Sequence, residues 1–289
     1  MADVTFIGLG LMGAALAEVS IKAGFETVVW NRTPSKADAL VKLGAEYTEN
    51  VADAVSESPV TIICVGDYDI ADTILNNDDV TAVLKGKTLV QLTSGSSGDA
   101  IKMNEWISTA GAKYVDGGIE GYPSDIGTDE SMFFISGNQD GVREAEPILK
   151  TLAPVLHNLG DDPARASAMY SAMLSGSFGM IFGMMQAVAI CEATGIDIKQ
   201  YLKIVSPVYD TDKELVMEMA EKCADDRLDE REATLSVWNE TLNPIIETLS
   251  ENGLNADMAR LMRNMLEKSE RDGFADHDLA ALINVIRNK

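Results

Sequence analysis

Residues 4–13 read VTFIGLGLMG: a four-residue apolar and β-branched run, then a G-x-G-x-x-G turn, then a helical pattern that stops at Gly24. No other feature constrains the fold as much, because a strand, a glycine turn and a helix in this order open a βαβ unit whose helix N-terminus faces a pyrophosphate. In that arrangement Gly8 permits the tight turn, Gly10 lets the backbone approach the phosphates, and Gly13 lets helix and strand pack closely. Leu11 and Met12 lie in the same phosphate-facing turn. The competing reading is a tight βα turn with no ligand.

The end of the second strand selects among dinucleotides. An NAD site places a carboxylate there for the ribose 2′-hydroxyl, but the chain reads Trp30-Asn31-Arg32-Thr33-Pro34-Ser35-Lys36 and offers none. Arg32 suits a 2′-phosphate and an adenine face, Lys36 adds charge, and Thr33 both donates to phosphate and caps a helix that Pro34 begins. With Asn31, and Val65 at the end of the run TIICV, these residues make the expected cofactor NADPH. The alternative takes Thr33-Pro34 as a capping pair only and Arg32 as a surface charge.

Up to about residue 160 the runs VTFIG, ETVVWN, TIICV, TLVQL, KYVDGG, SMFFISG and PVLHNLG alternate with helical patterns. Such alternation predicts an α/β fold with a mostly parallel, doubly wound sheet, a Rossmann domain over 1–162. Residues 163–289 read as an all-helical domain. Its first helix, about Ala164 to Ala193, would be ~45 Å long at 1.5 Å per residue. Being apolar around most of its circumference, it is expected to link the two domains and pack against a second subunit.

A net charge of −23 argues against nucleic acid and anionic membrane surfaces as partners. Cys64, Cys191 and Cys223 form neither a disulfide framework nor a metal motif, which fits a reducing, cytoplasmic setting. The N-terminal residues carry no signal pattern, and no unbroken apolar run has the length of a membrane span. With only His157 and His277 in the chain, acid–base chemistry falls to a carboxyl, a hydroxyl or water. The acidic stretch from Asp210 to Glu232 reads as a solvated helix face and loop, or as a field that draws in cations.

FIGLGLMG, NRTPSKA, LVQLTSGSS and VDGGIEGYPSDIG, in that order, resemble the imine reductases, relatives of the β-hydroxyacid dehydrogenases in the 6-phosphogluconate dehydrogenase-like group. The resemblance spans essentially the whole chain. It implies a Rossmann domain, a long interdomain helix and a helical domain exchanged within a homodimer, with the active site at the dimer interface. It also implies NADPH-dependent reduction of imines to amines, with reductive amination in reach. The sister dehydrogenases need a lysine early in the interdomain helix, where this chain has Ser171 and no lysine between Ala164 and Ile190. A protonated imine already carries its positive charge and needs little acid, so that loss fits imine chemistry. Imine reductases commonly carry Asp or Asn at the place of Ser171 and Tyr or Asp at that of Gly179; here neither donor is present. Glu120 departs from both branches, and is read either as the missing acid or iminium partner, or as a surface carboxylate. The expected catalytic set is therefore Glu120, Ser171 and Ser94, with Tyr122, Tyr170, Gly179 and Trp238 around the substrate. A carbonyl reductase of the sister branch, or a cofactor-binding protein without catalysis, remains the alternative.

Overall fold

The computed structural model describes residues 1–288; Lys289, the last residue of the expected helical domain, lies outside them. The first part of the chain runs β1 (Val4–Ile7), α1 (Leu11–Lys22), β2 (Thr27–Trp30), α2 (Asp38–Leu43), β3 (Glu46–Tyr47), α3 (Val51–Ser56), β4 (Val60–Ile63), α4 (Tyr68–Leu75), α5 (Asp78–Val83), β5 (Thr88–Gln91), α6 (Ser97–Thr109), β6 (Lys113–Glu120), β7 (Met132–Gly137), α7 (Gln139–Leu152) and β8 (Val155–Asn158). Then follow α8 (Arg165–Thr194), α9 (Ile198–Asp225), α10 (Leu235–Glu251), α11 (Asp257–Ser269) and α12 (Ile283–Ile286). The chain packs as two compact units, Met1–Ser177 and Phe178 onward. This division runs through α8, whereas the boundary read from sequence, 162/163, sits at its start.

In the first unit eight strands form one sheet in the order β3-β2-β1-β4-β5-β6-β7-β8. All neighbours are parallel except β6 and β7, which pair antiparallel with Val115 opposite Gly137 and Glu120 opposite Met132. All seven runs singled out in the sequence are strands; β3, two residues long, was not among them. The central strands β1, β4 and β5 are buried along their whole length, which is why they read as continuous rather than alternating apolar runs. Successive residues still serve opposite faces. Phe6, Ile62 and Val90 pack with Leu16 and Leu149 on one side, while Ile7, Ile63 and Leu89 pack with Leu75, Ile107 and Tyr114 on the other.

The second unit contains only helices and helical turns among the described residues. Its apolar centres are small: Leu235, Leu266 and Ala281 in one, Leu249, Ala256 and Ala259 in the other. A buried ion pair ties α9 to the C-terminal turn, Lys222 Nζ lying 2.9 Å from Asp278 and 3.0 Å from Glu218. These hydrogen bonds, that to Asp278 first, hold the Lys222 ammonium above its ordinary pKa. Helix α8 leaves Phe178, Met180, Ile181, Phe182 and Met185 more than half exposed in the single chain. By length and composition α8 does pass for a membrane span, which corrects the test for an unbroken run: Ser175, Gly176, Ser177, Gly179 and Gly183 interrupt the apolar sequence without lowering its average enough.

Candidate functional site

A cleft of about 380 Å³ opens at the C-terminal ends of β1, β2 and β4, and every residue named for the cofactor lines it: Gly8, Gly10, Leu11, Met12, Gly13, Asn31, Arg32, Thr33, Lys36 and Val65. The three glycines differ in what they do. Gly8 has φ +95°, and a Cβ there would lie 2.3 Å from the Cys64 carbonyl oxygen, so the turn presses against the end of β4. At Gly13 a Cβ would lie 2.0 Å from the Gly8 carbonyl oxygen, which fixes α1 against its own strand. Around Gly10 a Cβ would meet nothing within 4 Å, leaving open the space that a phosphate group needs.

Helix α1 starts at that open position with Gly10 as N-cap, no capping side chain and no acidic residue in its first turn. Its free N–H groups and positive dipole end suit an anion. Asn31 braces the cleft from β2: its Oδ1 accepts from Leu9 N at 2.9 Å and its Nδ2 donates to Thr33 O at 3.0 Å. Arg32, Thr33 and Lys36 are exposed on the same wall. Thr33 occupies the N-cap of a short 3-10 turn with Pro34 at the first position, but its hydroxyl makes no capping hydrogen bond, contrary to the expected cap. That hydroxyl is left to the cleft. Ile70 and Ile74 of α4 add an apolar wall that no motif in the sequence marks, since both belong to an ordinary helical pattern after the third long strand run. Deep beside the turn, burial pushes the Cys64 thiol up to about 11, so it stays protonated and inert at neutral pH.

The expected substrate-side residues divide between the units. Ser94 is exposed in the loop after β5, Glu120 is the exposed last residue of β6, and Tyr122, 77% exposed, follows Gly121, whose φ is +140°. Tyr170 and Ser171 lie on the first turns of α8, and Tyr170 packs so closely over Gly118 that a Cβ there would come within 2.9 Å of it. Ser97 of α6 also reaches this start of α8, donating to Ala164 O at 3.3 Å. The segments carrying Ser94, Glu120 and Ser171 are therefore tied together within the first unit. Gly179, exposed, and Trp238, half-buried on α10, belong to the second unit.

Between these segments lies a buried group that the sequence reading did not single out. Asp116 of β6 is wholly buried, and its carboxylate accepts from Ser167 N at 3.0 Å and Ser167 Oγ at 2.6 Å on Oδ2, and from the Tyr114 hydroxyl at 3.0 Å and the Tyr68 hydroxyl on Oδ1. Burial raises the Asp116 pKa above the usual carboxylate value, and the four hydrogen bonds oppose that rise. Of its partners only Tyr114 is near in sequence, while Tyr68 and Ser167 stand far away, so no local motif marks the cluster.

Residues 3–160 match the family model of the NAD binding domain of 6-phosphogluconate dehydrogenase, and residues 162–288 match that of the NADPH-dependent reductive aminase-like C-terminal domain. An NADPH-dependent reductive aminase of Aspergillus oryzae is 28% identical over 98% of this chain and 97% of its own. Among solved structures, an imine reductase from Myxococcus stipitatus in complex with NADP+ is 33% identical with a TM-score of 0.92, covering 98% of this chain and 99% of that one. A reductive aminase from Aspergillus terreus in complex with NADPH4, cyclohexanone and allyl amine superposes with a TM-score of 0.90 at 29% identity, covering 99% of this chain and all of that one.

Proposed function

The chain belongs to the imine reductase and reductive aminase family, and from that membership we propose that it is an NADPH-dependent oxidoreductase reducing C=N bonds, of cyclic imines above all, to amines. The observation that carries the cofactor is the cleft itself: an uncapped helix N-terminus beside open space at Gly10, and two cations with no carboxylate at the end of β2. Helix α1 would hold the pyrophosphate, and Arg32, Thr33 and Lys36 the 2′-phosphate. When bound, the reduced nicotinamide supplies a hydride to the carbon of the C=N bond, whose π electrons pass to nitrogen.

The protein's own part is to bind, orient and discharge that cation. The Glu120 carboxylate pairs with the iminium N–H and favours the protonated substrate, which needs no further proton when hydride arrives. Ser94 and Ser171 orient the nitrogen or a water beside it, and Tyr122 and Tyr170 wall the pocket. Gly179 and Trp238 remain further candidates for contact with the substrate, and the domain boundary is read at 162/163. A homodimer is part of the proposal: a second copy covers the exposed apolar face of α8, and conversion of a carbonyl plus an amine extends the same chemistry.

NADPH consumption with a small cyclic imine, compared with the ketone of the same skeleton, tests the reading. Turnover of the imine at least about tenfold faster in kcat/KM, a difference of about 1.4 kcal/mol in transition-state stabilisation, is expected. Equal or faster ketone reduction would assign the chain to the carbonyl-reducing branch, and NADPH binding without turnover of either would mark lost catalysis.

A further inference from the structure

Helix α8 begins Pro163-Ala164-Arg165-Ala166-Ser167, with no Ser, Thr, Asp or Asn at the Ala164 N-cap position. Its first N–H groups must find acceptors elsewhere. Asp162 takes the Ala164 and Arg165 N–H groups locally, and the next two reach across the sheet: Ala166 N donates to Ser136 Oγ of β7 at 2.9 Å, and Ser167 N to Asp116 Oδ2 of β6 at 3.0 Å. A cap supplied from two strands fixes the helix in rotation as well as in place. Tyr170 is thereby set over Gly118, and Ser171, one turn beyond Ser167, stands on the same side of the helix as the carboxylate's contact.

The other oxygen of Asp116 is held by the hydroxyls of Tyr114 and Tyr68. Tyr68 is the first residue of α4, whose Ile70 and Ile74 wall the cofactor cleft. Burying a carboxylate is costly, and four buried donors from three separate segments converge on this one, so together they impose a specific geometry. We propose that Asp116 is a positioning residue for the reaction: it locks the rotational setting of α8, and so the placement of Tyr170 and Ser171, to the wall of the cofactor cleft. The inference rests on the reading of the site as an imine-reducing one, but the lock itself is a structural claim.

Asp116→Asn and Ser167→Ala, each assayed in the full-length protein, test it. With kcat expressed per bound NADPH, Asp116→Asn is expected to lower imine turnover at least about tenfold and Ser167→Ala, which keeps the N–H donor, about threefold. NADPH affinity stays within about threefold in both, because α4 keeps its own cap from Asp67. Amide hydrogen exchange at residues 166–171 speeds up in the same order, while that of β1 and β4 is unchanged. Wild-type kcat together with unchanged exchange in Asp116→Asn overturns the proposal, as does a loss of activity that only follows lost NADPH binding. Should Asp116→Asn fail to fold, Ser167→Ala decides by the same two readouts. If the wild-type protein reduces no imine, the functional reading falls and the exchange pattern alone still upholds or refutes the lock.

Discussion

At Gly10 and Gly13 the same chemical change has opposite meanings. Gly13→Ala places a methyl group 2.0 Å from the Gly8 carbonyl oxygen, so helix or strand must move, and a loss of about 2–4 kcal/mol in unfolding free energy is expected by denaturant titration. Gly10→Ala meets open space and leaves stability within about 0.5 kcal/mol, yet its methyl enters the phosphate site. There the expected change is at least about tenfold, or ~1.4 kcal/mol, weaker NADPH binding. Arg32 carries the choice between dinucleotides. The wild type should favour NADPH over NADH by at least about tenfold, and Arg32→Glu should reverse the preference. Affinities measured for both cofactors check each statement. The glycines and Arg32 were legible because their chemistry is local, one turn and one strand end. Asp116 was not, since its donors Tyr68 and Ser167 lie 48 and 51 residues away and meet it only once the sheet has formed.

Among the elements, the runs that became strands were plain because burial on both faces leaves long β-branched stretches. Strand direction was not written there: β7 reads like the parallel strands of the sheet, and only the loop from Gly121 to Ser131, returning the chain beside β6, makes the pair antiparallel. Buried titratable groups now give these elements a common pH response. Burial raises the pKa of Tyr68 on α4 and of Tyr114 on β6, and hydrogen bonding to Asp278 raises that of Lys222 on α9. In each case the folded state keeps a proton that the unfolded chain releases near pH 10, so the stability linked to it is complete below that pH and is lost as pH climbs further. Unfolding free energy should therefore fall above about pH 10, and the fall should be shallower in Tyr114→Phe. A slope in that variant equal to wild type would remove Tyr114 from the linkage.

For the whole molecule, the apolar face of α8 asks what covers it. The sequence announced the length of this helix but not which of its residues would stay uncovered by its own chain; Phe178, Ile181 and Phe182 do. Light scattering at micromolar concentration should give twice the chain mass, and Phe182→Asp should shift it toward the monomer. A wild-type monomer, or sedimentation of the protein with lipid vesicles, would count against a second copy as the cover. The central claim, hydride delivery to a C=N carbon, is tested most directly by isotope. NADPH carrying deuterium at the reactive C4 position, mixed with a small cyclic imine, should yield the amine with one deuterium on the former imine carbon and none retained on nitrogen in water. An amine without that deuterium, or label recovered only in the alcohol of a matching ketone, would contradict it.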